Sequence, residues 1–266
     1  KTSLRKILFS CFKRNLVKEI KVAQLAGYVS EHSGYHHGEM SLNKAIVNQA
    51  QEFVGSNNIN PLLPNGQFGT RLEGGKDSAS ERYIFTMLNP ITRYIFPKQD
   101  EYILNYLDDD GTKVEPDWYV PIIPMILVNG GKGIGTGFSY EGLCYNPSEI
   151  ISYLKYSIKK PEKANKIKIS PYYEGFKGQI IKIESDKFLF KGCYEVISHD
   201  TIKITELPVG TWTSDYKAFL ETLIEDKTKS GKKKEPIVKT YIDSCTDTVV
   251  EFTIKLHLGK LADLIS

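Results

Sequence analysis

The chain has 266 residues, of which 41% are hydrophobic and 25% are charged, and its formal net charge is +3. This is the composition of an ordinary globular protein, and it excludes a disordered tail, a collagen-like repeat and a coiled-coil rod. At roughly 100–200 residues per domain, the length predicts one large domain or two modest ones. The longest nearly apolar run, residues 119–128, contains two prolines. A membrane-spanning helix needs about 20 apolar residues, so we expect no membrane segment.

The charge is unevenly distributed along the chain. Residues 1–22 contain seven basic residues and one acidic residue, a net charge of +6, whereas residues 98–117 contain seven acidic and two basic residues, a net charge of −5. A basic segment of this kind can bind phosphates by releasing their counterions. Most charge runs, however, are solvated helix faces. Charge alone therefore leaves nucleic-acid binding open.

The two ends and the cysteines also carry information. The sequence starts without a methionine or an apolar signal stretch and stops after an amphipathic run, so we expect a fragment of a longer protein. The cysteines are scattered and form no C-x-x-C pair, which disfavours both a zinc site and a disulfide framework. We expect reduced thiols at all four positions, which are Cys11, Cys144, Cys193 and Cys245.

Three segments near the start of the chain have apolar residues at helical spacing. These segments, residues 3–14, 21–31 and 41–54, are joined by short connections and carry basic residues. Three short helices with cationic edges are compatible with a helix-turn-helix core, although any three-helix cluster would give the same pattern.

Adjacent histidines flanked by glycines lie between the second and third predicted helices. A zinc site is disfavoured here, because neighbouring residues rarely both bind one metal and no third ligand has a typical spacing. A histidine that contacts a phosphate or a reacting hydroxyl suits such a loop better. The residues are His36 and His37.

Two glycine-rich stretches invite a phosphate-site interpretation. Residues 55–80 are too long for a plain turn, and loops of this length are often functional. They lack a Walker motif, because Gly75-Lys76 is followed by Asp77 and no glycine lies five residues before Gly75. Residues 129–137 do not open a helix as a dinucleotide site requires. Before this second stretch, residues 82–88 predict a strand or a helix start, and residues 118–128 predict extended, buried backbone limited by two prolines.

The pattern changes after residue 148. A helix over 148–158 and another over 214–225 are predicted, and the intervening segments alternate as strands do. The predicted strands cover residues 178–183, 188–191, 193–197 and 201–204, with two more on either side of residues 243–247. We expect residues 227–234 to form a basic loop.

Several short motifs occur in a fixed order over residues 1–140. They are Val22-Ala23-Gln24-Leu25-Ala26-Gly27, Tyr35-His36-His37-Gly38-Glu39, Gly66-Gln67-Phe68-Gly69-Thr70-Arg71, Gly74-Gly75-Lys76-Asp77-Ser78, Arg82-Tyr83-Ile84-Phe85-Thr86, Pro124-Met125-Ile126-Leu127-Val128-Asn129-Gly130 and Gly133-Ile134-Gly135-Thr136-Gly137. Together they resemble the eukaryotic-type DNA topoisomerase II family. The resemblance is patchier over residues 148–266, where Ile204-Thr205-Glu206-Leu207-Pro208 also fits.

The resemblance implies an α+β fold in two domains. Residues 1–137 would form a winged-helix (helix-turn-helix, CAP-like) DNA-cleavage domain, and residues 138–266 the truncated start of a strand-rich tower domain. The family's ATPase module and its acidic, metal-binding Toprim domain would lie upstream, and its coiled coil and exit gate downstream. The acidic residues 108–110 would then lie on a surface loop rather than in the metal site.

The resemblance also implies a catalytic set. Tyr83 would attack a DNA phosphate and remain linked to the 5′ end. Because a free tyrosine has a pKa near 10, it needs help at neutral pH. Arg82 would neutralise charge on the reacting phosphate, and His37 would bond to the phosphate region or help to move a proton. Lys1 and Arg5 would hold or polarise the cleaved phosphate.

The resemblance also implies that further residues contact DNA. Ile134 would be a wedge between base steps, which costs a few kcal/mol of unstacking and bends the duplex. His36 would touch DNA or simply hold its loop, and Met40 matches a position near the pocket of cleavage-stabilising drugs. The remaining candidates, which would contact DNA or hold the tyrosine loop, are Gln67, Arg71, Lys76 and Lys6.

The implied function is cleavage and religation of double-stranded DNA by an ATP-dependent, homodimeric enzyme. Mg²⁺ and ATP would be bound mainly by domains outside this chain, so the chain alone is expected to bind DNA without cleaving it efficiently. The expected location is the nucleus, or the site of viral DNA replication if the source is a large DNA virus. The alternative is a non-catalytic winged-helix DNA-binding module, which has no reason to keep Arg82, Tyr83 and His37 together.

Overall fold

The computed structural model describes residues 1–162, 167–185, 187–225 and 235–265. The chain divides into two compact units, the first made of residues 1–52, 56–69 and 77–174, the second of residues 53–55, 70–76 and 175–266. This is a division by packing. The predicted division by family domains, after residue 137, stays a prediction. The basic loop predicted over residues 227–234 lies outside the described residues.

Three helices form the centre of the first unit. They are α1 (Thr2–Arg14), α2 (Val22–Ser33) and α3 (Glu39–Ala50). Their apolar faces meet in one core, in which Ile7, Leu25 and Ile46 are fully buried. The helices predicted over 3–14 and 21–31 are confirmed. The third ends at residue 50 rather than 54, because the backbone becomes extended at Gln51.

A small antiparallel sheet completes that core. Its strands, in the order β1-β3-β2, are β1 (Ile20–Lys21), β2 (Leu62–Asn65) and β3 (Phe85–Leu88). Thr86 on the central strand is buried and donates from Oγ1 to the carbonyl of Leu63 at 2.8 Å. The strand alternative is therefore correct for residues 85–88, whereas residues 82–84 form a turn that leads into the strand.

The rest of the first unit consists of short helices and two hairpins. They are α4 (Pro90–Ile95), a 3-10 turn (Lys98–Tyr102), β4 (Tyr106–Asp109) paired with β5 (Thr112–Pro116), α5 (Met125–Val128), β6 (Gly131–Gly135) paired with β7 (Phe138–Gly142), and α6 (Pro147–Lys159).

The expectation of buried, extended backbone over residues 118–128 is wrong in two respects. Pro124 is the N-cap of α5, so the proline begins a helix there. Trp118, Val120 and Ile122 are more than half exposed. Apolar composition predicted burial, but these side chains alternate with buried or half-buried ones and project outward.

The second unit is a four-stranded antiparallel sheet with one long helix, α7 (Thr213–Ile224), and a short one, α8 (Lys260–Ile265). The strand order is β10-β11-β13-β12, and a separate pair is formed by β8 and β9. Phe252 and Leu220 lie in its core. The strands are β8 (Gln179–Lys182), β9 (Phe188–Lys191), β10 (Cys193–Ser198), β11 (Thr201–Glu206), β12 (Val238–Asp243) and β13 (Phe252–Leu256).

Helices and antiparallel sheets occur in both units, so the predicted α+β class is confirmed. The strands and helices predicted after residue 148 are confirmed as well. Among the described residues, no helix combines the length and the apolar character that crossing a membrane requires.

Candidate active site

The Arg82–Tyr83 pair lies on a loop whose base is fixed. Helix α2 begins there, and the N–H groups of a helix's first turn have no partner within the helix. Here the N–H of Val22 donates to the carbonyl of Ile84 at 3.0 Å, and that of Ala23 donates to the carbonyl of Glu81 at 3.1 Å. Buried Ile84 then leads into β3. The helix end therefore fixes the backbone on both sides of the pair.

The two side chains of this pair project into solvent. Tyr83 is 76% exposed, and Arg82 is also exposed. Among the described residues, neither side chain has a hydrogen bond or an ion pair with another part of the protein. A fixed backbone with a free hydroxyl and a free guanidinium suits a reaction with a large, anionic, external substrate.

The two histidines lie in the turn between α2 and α3. Gly34 ends α2 in the left-handed conformation, with φ of 57°, and Gly38 precedes α3 with φ of 82°. Both histidines are exposed. The His37 ring packs edge-on against Tyr35 with centroids 5.6 Å apart, and His36 Nε2 lies 3.8 Å from Asp109 Oδ2. The turn thus presents both imidazoles outward, with His36 beside the β4–β5 hairpin.

The tyrosine loop and the histidine turn lie at opposite ends of α2. At 1.5 Å per residue, the 12 residues of α2 separate them by about 18 Å along the helix axis. No described hydrogen bond, ion pair or ring contact links Tyr83 to His37. The structure therefore does not bring these two predicted partners into contact.

The first turn of α1 carries two further predicted residues. Lys1 is exposed. The Arg5 guanidinium donates from Nη1 to the carbonyl of Asp117 and lies 3.4 Å, through Nη2, from Thr2 Oγ1. Arg5 Nε is buried and has no hydrogen-bond partner among the described residues. Arg5 is thus held in place while one of its donors remains unused.

The predicted wedge residue lies on the β6–β7 hairpin. Ile134 is 87% exposed and pairs with Ser139 in the register of the two strands. Gly137, with φ of 76°, completes the two-residue turn at the tip. Phe138, opposite Gly135, is 84% exposed. Both faces of this hairpin tip therefore present a large apolar side chain to solvent.

Comparison with known proteins identifies the family. The family model that describes the A-type subunits of DNA gyrase and topoisomerase IV matches residues 1–265. The chain belongs to this family. It is 52% identical over 265 residues to the DNA topoisomerase 2 top-2 of Caenorhabditis elegans, covering 99% of this chain and 17% of that protein. It is 48% identical over 263 residues to human DNA topoisomerase 2-alpha, with the same two coverages.

A solved structure supports the same conclusion. The DNA-binding, cleavage and re-ligation domain of Plasmodium falciparum topoisomerase II matches with a TM-score of 0.93 and 48% identity, over 100% of this chain and 35% of that chain. The predicted resemblance to eukaryotic-type DNA topoisomerase II is confirmed. The chain spans about a sixth of the length of these curated relatives.

Two cations that were predicted to contact DNA lie in buried ion pairs of this topoisomerase-family chain. In the first unit, Lys6 Nζ is 2.8 Å from Glu115 Oε2, with side chains 13% and 2% exposed, and it also donates to the carbonyl of Ser33. In the second unit, the Arg71 guanidinium donates to both carboxylate oxygens of Glu206, with side chains 7% and 2% exposed. Neither cation is available at the surface.

The other predicted residues are accessible. Gln67 is exposed and its Nε2 lies 3.4 Å from Asp77 Oδ2 in the first unit. Lys76, in the second unit, is exposed. Met40, in the first turn of α3, is 88% exposed. Their predicted DNA and drug contacts stay predictions.

Sequence reasoning missed some residues of the site. Phe138 was not predicted, although a glycine-rich hairpin with a two-residue turn would have placed it at the same tip as Ile134, on the opposite face. Glu115 and Glu206 gave no local signal, because they lie 109 and 135 residues from their cation partners. Buried ion pairs between distant segments have no sequence spacing to detect.

The described residues do not fit a metal centre. No group of three or more histidine, cysteine, aspartate or glutamate side chains among them could hold a metal ion. Of the acidic residues 108–110, which were expected on a surface loop, only Asp110 lies in the turn of the β4–β5 hairpin, whereas Asp108 and Asp109 end strand β4. We therefore assign no step of any reaction to a metal bound by this part of the chain.

Proposed function

We propose that this chain is the DNA-cleavage and religation region of an ATP-dependent type II DNA topoisomerase. The observation that carries the proposal is the pair Arg82 and Tyr83, exposed and unpaired on a loop anchored to α2 and β3. Relatives named DNA topoisomerase 2 that match 99% of the chain support it.

The reaction is a transesterification at phosphorus. Tyr83 Oη attacks a phosphodiester and forms the tyrosyl–phosphorus bond while the bond to the 3′ oxygen breaks. The phenolic proton leaves to solvent or a base, and the departing 3′ oxygen takes up a proton. The energy of the phosphodiester is kept in the phosphotyrosyl bond, so the reverse attack by the 3′ hydroxyl reseals the strand.

Cationic side chains stabilise the charge that accumulates on the phosphate. Arg82, next to the nucleophile and without an ion-pair partner among the described residues, is assigned this role. We assign Lys1 and Arg5 to holding the cleaved phosphate, since Lys1 is exposed and the Arg5 guanidinium is fixed by its bond to the carbonyl of Asp117.

We assign the histidine turn to the DNA backbone rather than to proton transfer at Tyr83. The separation of about 18 Å along α2 is too long for direct proton transfer between His37 and Tyr83. A neutral imidazole can donate to a phosphate oxygen from one ring nitrogen. His36, paired loosely with Asp109, is assigned mainly to holding the turn.

The remaining predicted residues divide into two groups. Ile134 is assigned to intercalation and bending of the duplex, while exposed Phe138 lies on the opposite face of the same hairpin tip. Gln67 and Lys76 are assigned to the DNA surface because both are exposed. We assign the two buried cations to the fold instead, and they are Lys6 and Arg71.

Cofactors and partners follow from the proposed enzyme. Mg²⁺ and ATP are assigned to the full-length enzyme, in line with its relatives named DNA topoisomerase 2. The partners are double-stranded DNA and a second copy of the protein, so that two copies of Tyr83 cut both strands. The proposed location is the nucleus, with a site of viral DNA replication as the alternative for a viral source.

Covalent trapping tests the proposal. The intact protein is mixed with internally labelled supercoiled DNA and Mg²⁺, denatured with detergent, and examined for label linked to protein through 5′ ends, beside a Tyr83→Phe variant. We expect label on the natural protein and none on the variant. Bound DNA without an adduct on either would favour the second candidate, a non-catalytic DNA-binding module whose DNA affinity falls steeply with salt.

A further inference from the structure

The hairpin that carries Ile134 is held at its base by residues far away in sequence. An isolated two-stranded hairpin is only marginally stable, and β6 and β7 pair with no other strand among the described residues. The stiffness of the hairpin therefore depends on its two legs. One leg enters through Val128 and Asn129, and the other leaves through Tyr145.

Asn58 bonds to both legs at once. Its side-chain Nδ2 lies 3.0 Å from the carbonyl of Val128 and 3.2 Å from that of Tyr145, and 3.0 Å from that of Tyr172. Its Oδ1 accepts the backbone N–H of Glu174 at 2.9 Å. One amide thus joins the entering leg, the leaving leg and the segment after α6.

A second asparagine supports the same base. Asn129 accepts from the N–H of Ile59 at 2.9 Å and donates to its carbonyl at 2.7 Å. Ile59 packs against the apolar cluster around Val128, and Tyr145 donates from its N–H to Leu127 at 2.8 Å. Residues 58 and 59 therefore form the support on which the hairpin rests.

We infer that Asn58 is a positioning residue for the Ile134 wedge. The inference rests on the function proposed above, in which Ile134 enters the base stack. Unstacking a step costs a few kcal/mol, and the hairpin can supply that only if its legs do not yield. Through these hydrogen bonds, Asn58 connects the base of the hairpin to the rest of the first unit and so limits displacement of the hairpin.

Only an amide satisfies this position. The carbonyls of Val128, Tyr145 and Tyr172 need a donor, while the N–H of Glu174 needs an acceptor. An aspartate has the same shape, but its ionised carboxylate can accept hydrogen bonds and cannot donate them. It would therefore repel all three carbonyls. Asn58→Asp therefore reverses the interaction with little change in volume.

The neighbouring residue provides a matched control. Asn57 also donates from its side-chain amide to backbone carbonyls, those of Asn48 at 2.7 Å and Gln51 at 2.8 Å. These carbonyls lie at the end of α3 and not in the hairpin legs. Asn57→Asp makes the same chemical change one residue away without touching the base of the hairpin.

Two measurements on the intact protein test the inference. Hydrogen exchange without DNA reports the protection of the amides of residues 131–142. Duplex bending, followed by energy transfer between dyes on the DNA ends, is measured in a Tyr83→Phe background, which cannot cleave. We expect Asn58→Asp to lower the protection factors of the hairpin amides by about tenfold, the loss expected when roughly one or two net hydrogen bonds are removed, and to lower the population of bent DNA by a similar factor.

Epistasis separates positioning from general destabilisation. Asn57→Asp should leave the hydrogen-exchange protection of the hairpin and the DNA bending unchanged, even if it lowers the unfolding midpoint of the protein. In a double variant, Asn58→Asp should add nothing to the bending defect of Ile134→Ala. Asn58→Ala, which removes the donor without adding charge, replaces Asn58→Asp if that variant does not fold.

The inference is overturned if Asn58 variants leave hairpin exchange unchanged, or if their bending defect adds fully to that of Ile134→Ala. If Ile134→Ala itself bends DNA normally, the proposed wedge falls, and hydrogen exchange alone decides whether Asn58 holds the hairpin. The two failures are therefore distinguishable.

Discussion

An exposed tyrosine hydroxyl is not by itself a nucleophile. Tyr94 and Tyr102 are 76% and 86% exposed, as accessible as Tyr83. At the other extreme, burial raises the pKa of Tyr173 to about 12, which disfavours its phenolate. What distinguishes Tyr83 is the combination of accessibility, backbone anchoring by α2 and an unpaired guanidinium next to it.

The neighbouring guanidinium gives the first prediction. Replacing Arg82 with alanine should lower the rate of phosphotyrosyl adduct formation by about 10²–10³-fold, the usual effect of removing one preorganised stabilising group. The rate for Arg82→Lys should lie between those of the natural protein and Arg82→Ala, since lysine keeps the charge but lacks the planar guanidinium with its paired donors. Quench-flow trapping of adduct measures the rates. Arg14→Ala, which removes another exposed arginine, is the control, and an equal loss there would contradict the specific role.

Glycine substitutions in and after α2 give the second prediction. Gly34 has φ of +57°, and a Cβ there would collide with the carboxylate of Asp109. Gly34→Ala should lower the free energy of unfolding by about 1–2 kcal/mol, because the left-handed conformation strains an L-residue. Gly27, inside the helix, would meet nothing within 4 Å, so Gly27→Ala should raise it by about 0.5–1 kcal/mol. Urea unfolding followed by circular dichroism measures both, and the same sign for both would be inconsistent with this account.

At the scale of single residues, the sequence pointed to candidate reacting residues but not to the residues that are buried. Arg82, Tyr83 and Ile134 were found because family motifs carry them, and all three are exposed. Lys6 and Arg71 were assigned to DNA through the same family resemblance, yet both lie in ion pairs within the fold. Their burial depends on distant carboxylates that only the fold brings to them.

At the scale of elements, Lys6 joins three parts of the first unit. It belongs to α1, its ammonium pairs with Glu115 of β5, and it donates to the carbonyl of Ser33 at the end of α2. Because both side chains are almost completely buried, removing one partner leaves a charge without compensation. The pair thus fixes the β4–β5 hairpin beside the histidine turn.

That arrangement gives the third prediction. Lys6→Met should lower the free energy of unfolding by about 3–5 kcal/mol, and adding Glu115→Leu should restore most of it. Denaturant titration of the single and double variants measures this. The contrary result would be normal stability with weaker DNA binding and a shallower salt dependence, which would make Lys6 the DNA contact that the sequence suggested.

The predictability of the elements follows from their periodicity. Helices α1 and α2 and strands β10 and β11 show the regular alternation of their class, and each was found within about two residues. Residues 118–128 failed because two prolines and an apolar run fit both a buried strand and a helix start. The end of α3 was set by backbone geometry at Gln51, for which the sequence has no glycine or proline signal.

At the scale of the whole molecule, each unit has its own core and its own shielded thiol. Burial raises the pKa of Cys11, in the first unit, to about 12 and that of Cys245, in the second, to about 11. From an ordinary pKa of 9.0, these shifts reduce the thiolate fraction at pH 8 by about a thousandfold and about a hundredfold. Cys11 is buried and Cys245 is half-buried, and since only the thiolate reacts, we expect loosening of either unit to raise the alkylation rate of its own cysteine.

The ion pairs of the two units provide the means to open one unit at a time. Arg71 belongs to residues 70–76, a segment of the second unit, and pairs there with Glu206. Arg71→Met should therefore speed alkylation of Cys245 at pH 8 in mild urea while leaving Cys11 nearly unchanged. Lys6→Met should do the reverse, so each variant is the control for the other.

The expected size of this effect follows from the cost of leaving a buried charge unpaired. A loss of about 3 kcal/mol in one unit multiplies its open population by about a hundredfold when opening is fast compared with labelling. Mass spectrometry of pulse-alkylated peptides measures both thiols in the same sample. If either variant raises the alkylation rates of Cys11 and Cys245 by the same factor, the two cores unfold as a single cooperative body. The division into independently stable units would then be wrong.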